Sequence, residues 1–398
     1  MGKESEYSLR RTRVEIAGFV FLTFLGYLII GLSLAVLPVF IHQTLGYNTI
    51  VAGGVISLQY VMTFLVRGYS GSIVDRKGPK PAVLQGMGTF ALSGLLLALA
   101  SMFTGNGFIC LVLIAITRLV TGFAEGMIGA SPVNWAMLKV GEKHTATAIS
   151  FNGIASYGAL AIGAPLGVVL QKWIGLSGLG GLIVLISAVG FVISMRKTAI
   201  KGDRKSQRHS FLKVLQKVSP YGICLALGGI GFGTISTFIT LYFEYLHWEN
   251  GALSLTVFGV VFILCRVFFS GMIDKYGGLW VSTISLAFEA AGLLILWLAK
   301  DPVWAMAGAG VTGLGFSLVF PALGVEAVKL ASPSNKGSAL AGYALFIDVS
   351  LGVTGPLIGA VASQFGMLNI FLFSMLLVFS GLIICYSIQM RTRVPEAA

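Results

Sequence analysis

Residues 67–80, RGYSGSIVDRKGPK, join two long apolar stretches of the chain. The segment holds three basic residues within five positions, one acid (Asp75) and a Gly78-Pro79 pair that predicts a sharp turn. Basic residues collect in the short loops on one side of a membrane protein. The segment is therefore typical of a loop between two membrane-spanning helices.

A weaker copy of this segment, RVFFSGMIDKYGG, occupies residues 266–278. Arg266 follows Arg67 by 199 residues, Asp274 follows Asp75 by the same 199 residues, and the chain has 398 residues. A copy displaced by half of the chain predicts an internal duplication, in which the two halves share one arrangement of helices.

The composition predicts an all-α membrane protein surrounded by the lipid bilayer. The chain is 56% hydrophobic and 11% charged, with a mean hydropathy of +0.90, whereas soluble domains are about a quarter charged. Apolar stretches of about 20 residues, enough to cross the ~30 Å core of a bilayer, recur along the chain. We expect twelve spanning helices in two pseudo-symmetric six-helix halves. The expected division is 1–195 as the N-terminal bundle, 196–217 as a cytoplasmic basic linker and 218–398 as the C-terminal bundle.

The net charge of +12 could indicate a nucleic-acid-binding protein, but the positions of the basic residues argue against this class. Of the 27 Lys and Arg residues, 22 fall in the termini and in alternate loops, and two fall in the loops of the opposite side. This asymmetry follows the positive-inside rule. It predicts a multi-pass membrane protein with both termini in the cytoplasm and no nucleic-acid partner.

Cysteine and histidine usage gives no sign of a metal site. All four cysteines lie in apolar stretches, where we interpret them as small core residues, and the four histidines are scattered. The sequence has no nucleotide-binding loop and no hydrolase motif. We therefore expect no metal, no cofactor and no enzymatic activity, and a function driven by an ion gradient or a solute gradient.

The loop after the predicted second span carries a G-x-x-x-D-R-x-G-x-K motif. It is formed by Gly71, Asp75, Arg76, Gly78 and Lys80. Together with the two six-span halves and the central basic linker, this motif resembles the Major Facilitator Superfamily of membrane transporters. It departs from the common pattern at Pro79, where a second basic residue is usual.

Three further stretches fit the same resemblance. Span 4 contains RLVTGFAEG with Arg118 and Gly122, span 5 contains GAPLG at residues 163–167, and span 11 contains GPLIG at residues 355–359. GAPLG is a degraded form of a pattern typical of antiporters. The resemblance is closest to the bacterial drug- and sugar-efflux branch, which includes many uncharacterised inner-membrane proteins.

The resemblance implies that Asp75 faces the N-terminus of span 11 and latches the two halves together on the cytoplasmic side, with Asp274 in the mirror role. Arg67 and Arg266 would pair with these acids or reach toward the membrane interface. The candidate latch residues are Arg67, Gly71, Asp75, Arg76, Gly78, Lys80, Arg266 and Asp274. The alternative is that they are helix caps and topology signals without a switching role.

Four charged residues are predicted deep inside spans. Arg118 and Glu125 lie seven residues apart in span 4, nearly two helical turns, so they share one face. A charge at that depth is costly unless it is paired or hydrated, which favours a function. We expect Glu125 to carry a proton with Arg118 as its charge partner in the cavity, and a static ion pair is the alternative. Asp348 in span 11 is the second proton-coupling candidate, and Glu289 in span 9 is expected to be a packing partner for a neighbour.

Polar and aromatic side chains in spans 1, 2, 4, 5 and 7 are candidate substrate contacts, because walls of this kind suit amphipathic organic molecules. They are Tyr27, Gln59, Asn134, Trp135, Asn152, Tyr157, Thr234, Thr237 and Tyr242. Each could instead form a hydrogen bond between helices. The candidate helix-bending residues are Gly163, Pro165, Gly167, Gly355, Pro356 and Gly359, for which tight packing is the alternative.

These expectations describe a secondary active transporter that works by alternating access. We expect it to export a small amphipathic organic molecule in exchange for protons, as a monomer. An uptake symporter or uniporter for sugars or organic acids is the alternative within the same class. A membrane sensor or scaffold that transports nothing is the alternative from another class.

Overall fold

The computed structural model describes residues 2–141, 144–200, 211–330 and 336–393. Within these ranges the regular secondary structure is helical, with no β-strand. The predicted all-α class is therefore confirmed for the described part of the chain. Residues 201–210 of the predicted linker lie outside it.

The first half of the chain forms seven described helices. They are α1 (Gly2–Leu34), α2 (Val36–Val39), α3 (Thr49–Lys77), α4 (Pro79–Ser101), α5 (Gly107–Ile128), α6 (Ser131–Val140) and α7 (Thr145–Arg196), with a π-helical turn at Phe40–Thr44. The second half forms another seven. They are α8 (Phe211–Tyr245), α9 (Leu253–Phe269), α10 (Met272–Tyr276), α11 (Gly278–Leu298), α12 (Pro302–Lys329), α13 (Lys336–Phe365) and α14 (Ile370–Arg393), with a 3₁₀ turn at Met367–Asn369.

Twelve membrane crossings account for these helices. Among the described residues, ten helical segments are long and apolar enough to span a bilayer, and α9 is a shorter apolar helix of 17 residues. One of the ten, α7, has 52 residues and is broken at Gly175, whose φ is +67°. A helix of that length would be about 78 Å long, more than twice the bilayer core, so it makes two crossings. The predicted twelve-helix fold is confirmed.

The duplicated loop repeats its backbone geometry in each half. Gly78 ends α3 with φ +87°, and Gly277 ends α10 with φ +86°. The amide of Gly78 donates to the carbonyl of Val74 at 2.9 Å, and that of Gly277 donates to Ile273 at 3.0 Å. Glycine adopts this left-handed conformation without steric cost, so both copies of the loop stop one helix and start the next in the same way.

The helices group into two compact units. Unit 1 comprises residues 1–36 and 58–206, and unit 2 comprises residues 37–57 and 207–398. In unit 1, α7 packs against α1 and α4, and in unit 2, α11 packs against α12 while α8 packs against α13. Residues 37–57, the end of span 1 and the start of span 2, group with unit 2, and the division into bundles 1–195 and 218–398 stays a prediction.

Glycines allow close helix contacts in both units. A Cβ placed on Gly163 of α7 would lie 2.9 Å from the carbonyl oxygen of Leu28 on α1. In unit 2, the Thr49 hydroxyl donates to the carbonyl of Gly359 at 3.2 Å, and a Cβ on Gly355 would collide with the backbone of Gly53. These contacts show that the predicted helix-bending glycines serve tight packing, and their bending role stays a prediction.

Replacing Gly355 with Ala tests this packing. The added methyl has no room beside Gly53, and overpacking of a tight contact costs about 1–3 kcal/mol, so we expect a lower free energy of unfolding. The matched control is Gly54→Ala, because a Cβ on Gly54 meets no atom within 4 Å. Thermal unfolding in detergent should show a lower midpoint for Gly355→Ala alone. Equal midpoints for the two variants would contradict the packing described here.

Candidate functional site

Two charged side chains are buried on one face of α5. Arg118 is 1% exposed and Glu125 is 8% exposed. They lie near the middle and near the end of a helix that runs from Gly107 to Ile128. The predicted shared face of Arg118 and Glu125 is consistent with their common neighbour, Gln59 of α3, which is 1% exposed.

The guanidinium of Arg118 donates to three oxygens. Its Nη1 lies 2.8 Å from Oε1 of Gln59, and its Nη2 lies 2.9 Å from Oγ of Ser33 on α1. The hydroxyl of Thr121 is farther away, at 3.5 Å from Nη2. Two well-placed oxygens from two neighbouring helices hold the planar guanidinium in one orientation, as a buried charge requires.

The carboxylate of Glu125 is held by donors from α3. Its Oε2 accepts from Nε2 of Gln59 at 2.9 Å and from the hydroxyl of Thr63 at 3.0 Å. Gln59 therefore presents its amide oxygen to Arg118 and its amide nitrogen to Glu125. The opposite charges on the two sides fix the orientation of this amide.

Thr63 has three acceptors within reach but a single hydroxyl proton. Besides Glu125, its oxygen lies 2.9 Å from the carbonyl of Gln59 and 3.1 Å from the carbonyl of Gly122. It can donate to one of them at a time, so its bond to Glu125 can be exchanged for a backbone bond without leaving the hydroxyl unsatisfied. We call Ser33, Gln59, Thr63, Arg118 and Glu125 the charge network.

The close approach of α3 and α5 depends on glycine. A Cβ on Gly122 would collide with the carbonyl of Gln59, and one on Gly126 would lie 3.0 Å from Cβ of Val66. The absence of a side chain at these positions lets the Gln59 amide reach both charges. The network therefore depends on the seven-residue spacing of Arg118 and Glu125 on α5 and on the small residues of that helix.

The remaining candidate contacts of unit 1 are spread over its helices. Trp135 is fully buried, its indole nitrogen donates to the carbonyl of Thr198 at 3.2 Å, and its ring lies 5.2 Å from that of Phe19. Asn152 accepts from the hydroxyl of Thr23 at 2.8 Å. Three further candidates are half-buried: Tyr27, Asn134 and Tyr157. The alternative of hydrogen bonds between helices is thus realised for Asn152, and Trp135 takes part in packing.

In unit 2 the candidate contacts are buried in helix packing. The Thr234 hydroxyl lies 2.7 Å from that of Ser374, and the Tyr242 hydroxyl donates to the carbonyl of Leu296 at 3.2 Å. Thr237 is 3% exposed, and Asp348, the second proton-coupling candidate, is 4% exposed on α13. Asp348 remains a prediction.

The candidate latch residues take several different positions. Lys80 donates to the carbonyls of Met195 and Lys197, each at 2.7 Å, and so caps the C-terminal end of α7. Arg266 donates to the carbonyl of Ser317 at 2.6 Å, and Asp274 is exposed. The side chain of Asp75 lies outside the described part of the structure. Arg67 is half-buried, Arg76 is exposed, and Gly71 has open space beside it.

Sequence reasoning missed two members of the charge network and also the helix-capping contacts of Lys80, which was predicted only as a latch residue. Ser33 and Thr63 complete the charge network, and Lys80 acts as a helix cap. One signal was present for Thr63, which lies four residues after Gln59 and hence on the same face of α3. In the sequence, Ser33 lies 85 residues from its partner Arg118, and Lys80 lies 115 residues from Met195. No local sequence pattern predicts contacts between residues so far apart.

Comparison with known proteins places the chain in a family. The sequence profile of the Major Facilitator Superfamily matches residues 19–265 and 222–397. A protein of Pseudomonas aeruginosa named as an uncharacterized MFS-type transporter is 49% identical over 385 residues, which are 96% of this chain and 95% of that protein. A protein of Burkholderia pseudomallei with the same description is 47% identical over 361 residues, 91% and 88% of the two chains.

Solved structures agree with this placement. The nucleoside transporter NupG has a TM-score of 0.76 and 15% identity, over 94% of this chain and 99% of that chain. A POT family transporter in complex with a thioalcohol-conjugated peptide has a TM-score of 0.74 and 14% identity, over 95% and 96%. At this level of identity the structures show a shared fold and nothing about the substrate.

The described helices define a multi-pass α-helical membrane protein of the transporter class, with a buried charge network in unit 1. The chain belongs to the Major Facilitator Superfamily. The resemblance drawn from its loop motif is therefore confirmed.

Replacing Gln59 with Ala tests the charge network. Arg118 and Glu125 would each lose a buried hydrogen bond, and each unsatisfied group costs about 1–3 kcal/mol, so we expect a clearly lower free energy of unfolding. Gln85→Ala, at an exposed position of α4, is the control and should unfold at the wild-type temperature. The readout is the thermal unfolding midpoint in detergent, and similar shifts for both variants would argue against a bridging role for Gln59.

Proposed function

We propose that this secondary transporter exports small amphipathic organic molecules in exchange for protons, and that Glu125 carries the proton. The observation that supports the proposal is the position of its carboxylate, which is buried and shares the Gln59 amide with Arg118. A transporter needs a group whose protonation changes the contacts of its helices. Glu125 has such contacts on α3. We also propose that the protein is a carrier and not an enzyme.

Protonation of Glu125 would act on the network through its shared amide. As a carboxylate, Oε2 attracts Nε2 of Gln59 and the hydroxyl of Thr63 strongly, because charge-assisted hydrogen bonds are about twice as strong as neutral ones. A neutral acid would hold both donors less tightly. Thr63 could then donate to a backbone carbonyl instead, and the Gln59 amide would be held mainly by its hydrogen bond to Arg118.

Arg118 would serve as the permanent positive charge of the site. Its guanidinium stays charged in a protein, so the loss of the Glu125 charge would leave a net positive centre. This centre would repel a cationic group of a substrate, whereas an ionised Glu125 leaves the Arg118–Glu125 site neutral and admits it. Competition of this kind would couple proton binding to substrate release.

Export is proposed on the antiporter-like GAPLG sequence at residues 163–167, whose Gly163 and Gly167 pack on α1. Uptake of sugars or organic acids remains the alternative, and the direction of transport separates the two.

The latch formed by residues of the two loops at 67–80 and 266–278, the role of Asp348, the remaining substrate contacts and a monomeric state are also part of the proposal. We further propose the bacterial inner membrane as the location, with both termini in the cytoplasm.

Replacing Glu125 with Gln tests proton coupling. In proteoliposomes with an imposed pH gradient, we expect the wild type to move ethidium against its gradient, because proton entry drives exit of the organic cation. Glu125→Gln keeps the size of the side chain but cannot release a proton, so gradient-driven movement should fall to the level of protein-free vesicles. Movement of ethidium down its own gradient should persist.

The control for this experiment is Glu249→Gln, which removes a carboxylate from an exposed position and should transport as the wild type does. Glucose is tested in parallel as a probe of the uptake alternative. Unchanged gradient-driven transport in Glu125→Gln would remove Glu125 from the mechanism, and proton-driven glucose entry would replace export by uptake.

Two single cysteines on α7 test the proposed orientation. Arg196→Cys and Lys172→Cys introduce thiols at exposed positions, whereas the four native cysteines are buried and should not react. A membrane-impermeant maleimide should label Lys172→Cys in intact cells, and label Arg196→Cys only after the membrane is opened. The reverse pattern would place the termini outside.

A further inference from the structure

A second acid of the described spans, Glu289 on α11, has no hydrogen-bond partner. Its side chain is 0% exposed, and neither Oε1 nor Oε2 is within hydrogen-bonding distance of a donor among the described residues. Glu289 was expected to be a packing partner for a neighbour, and its side chain packs on α8. Its carboxyl, however, has no polar partner there. This sets it apart from Glu125, which accepts two hydrogen bonds.

The carboxyl of Glu289 fills a niche that two glycines of α8 leave open. A Cβ on Gly231 would lie 2.5 Å from Oε1, and a Cβ on Gly228 would lie 3.2 Å from Oε2. Gly228 and Gly231 are three residues apart and so lie on one face of α8. Apolar atoms of Leu286 and Val319 also border Gly228, and no described residue donates a hydrogen bond to either carboxyl oxygen of Glu289.

Among the described side chains, no other titratable group is a hydrogen-bond partner of Glu289 in this niche. The helices packed against α11 are α8, α10, α12 and α14, and their described titratable side chains that are not exposed are Tyr221, Cys224, Tyr242, Glu326 and Cys385. The Tyr242 hydroxyl donates to the carbonyl of Leu296, and Glu326 accepts from Lys329 and from the amide of Gly278. The free thiols of Cys224 and Cys385 are hydrogen-bonded to each other. None of the five is a partner of Glu289.

An ionised carboxylate without donors is strongly unfavourable inside a protein, and a group in that position takes up a proton instead. We propose that Glu289 is a proton-binding site of unit 2, protonated while α8 and α11 are packed as described. The proton can leave only when α8 moves away from α11 and water reaches the carboxyl. Whether Glu289 carries its proton then depends on the distance between α8 and α11 and not on the pH of the medium alone.

The protonated state follows from the contacts in unit 2 and does not depend on Glu125. A contribution of this proton to coupling rests on the proposed function, since it requires α8 to move during transport. The test below uses purified protein without a substrate. Failure of the Glu289 assignment and failure of proton-coupled export are therefore distinguishable.

Infrared difference spectroscopy tests the assignment. The spectrum of the wild type minus that of Glu289→Gln at neutral pH should show the C=O stretching band of one protonated carboxylic acid and no carboxylate band. The control Glu249→Gln, at an exposed acid, should show loss of a carboxylate band only. Loss of a carboxylate band in Glu289→Gln would overturn the proposal.

Thermal unfolding gives a second, independent readout. The folded chain holds the Glu289 proton, whereas the unfolded chain exposes an acid that is ionised above about pH 5. The folded state therefore binds more protons, and a rise in pH lowers the stability of the wild type relative to Glu289→Gln. The relative unfolding constant should change by up to about tenfold per pH unit, and a pH-independent difference would contradict the proposal.

Two further variants keep the test decisive. Glu289→Met should fold as well as Glu289→Gln, because a neutral side chain of similar length can replace a neutral acid without partners. If neither folds, the carboxylate must make charged contacts and the proposal fails.

Gly231→Ala, which pushes a methyl against Oε1, should speed exchange of the Glu289 proton for deuterium. The control Gly181→Ala, which faces open space, should leave the slow wild-type rate unchanged.

Discussion

The structure of unit 1 depends on a single amide that holds two opposite charges inside a membrane-spanning bundle. Arg118 and Glu125 lie on one helix, and Gln59 on another supplies an acceptor to one and a donor to the other. Charges at this depth must be satisfied by protein because lipid offers no hydrogen bonds. A bridging amide does this without bringing the charges into direct contact, so each can still respond to a ligand or a proton.

This arrangement in turn constrains the packing. The Gln59 amide reaches both charges because α3 and α5 approach at Gly122 and Gly126. Unit 2 shows the same use of small residues with a different outcome, since Gly228 and Gly231 make room for an acid but offer it no donor. The position of a glycine decides how close two helices come, and the polar atoms present at that point decide whether a buried acid is charged or neutral.

The number of spans and the duplication could be predicted from sequence because each depends on local composition or on a short motif. The repeat of 199 residues appears again as nearly equal φ angles at Gly78 and Gly277. The common face of Arg118 and Glu125 follows from helical spacing alone. The roles of Ser33, Gln59 and Lys80 could not be derived in this way, because each is set by a partner on another helix. Gln59 was predicted as a substrate contact, and its amide is engaged by two charges.

The two acids illustrate how a transporter can link proton binding to the movement of helices. The donors of Glu125 and the niche of Glu289 both come from a neighbouring helix, α3 in one case and α8 in the other. Proton affinity in each case is a property of a helix pair and not of the side chain alone. Separation of α3 from α5 would remove donors from a charged acid and favour proton uptake, whereas separation of α8 from α11 would admit water to a neutral acid and favour proton release. The same kind of helix movement would therefore change the charge of the two units in opposite directions.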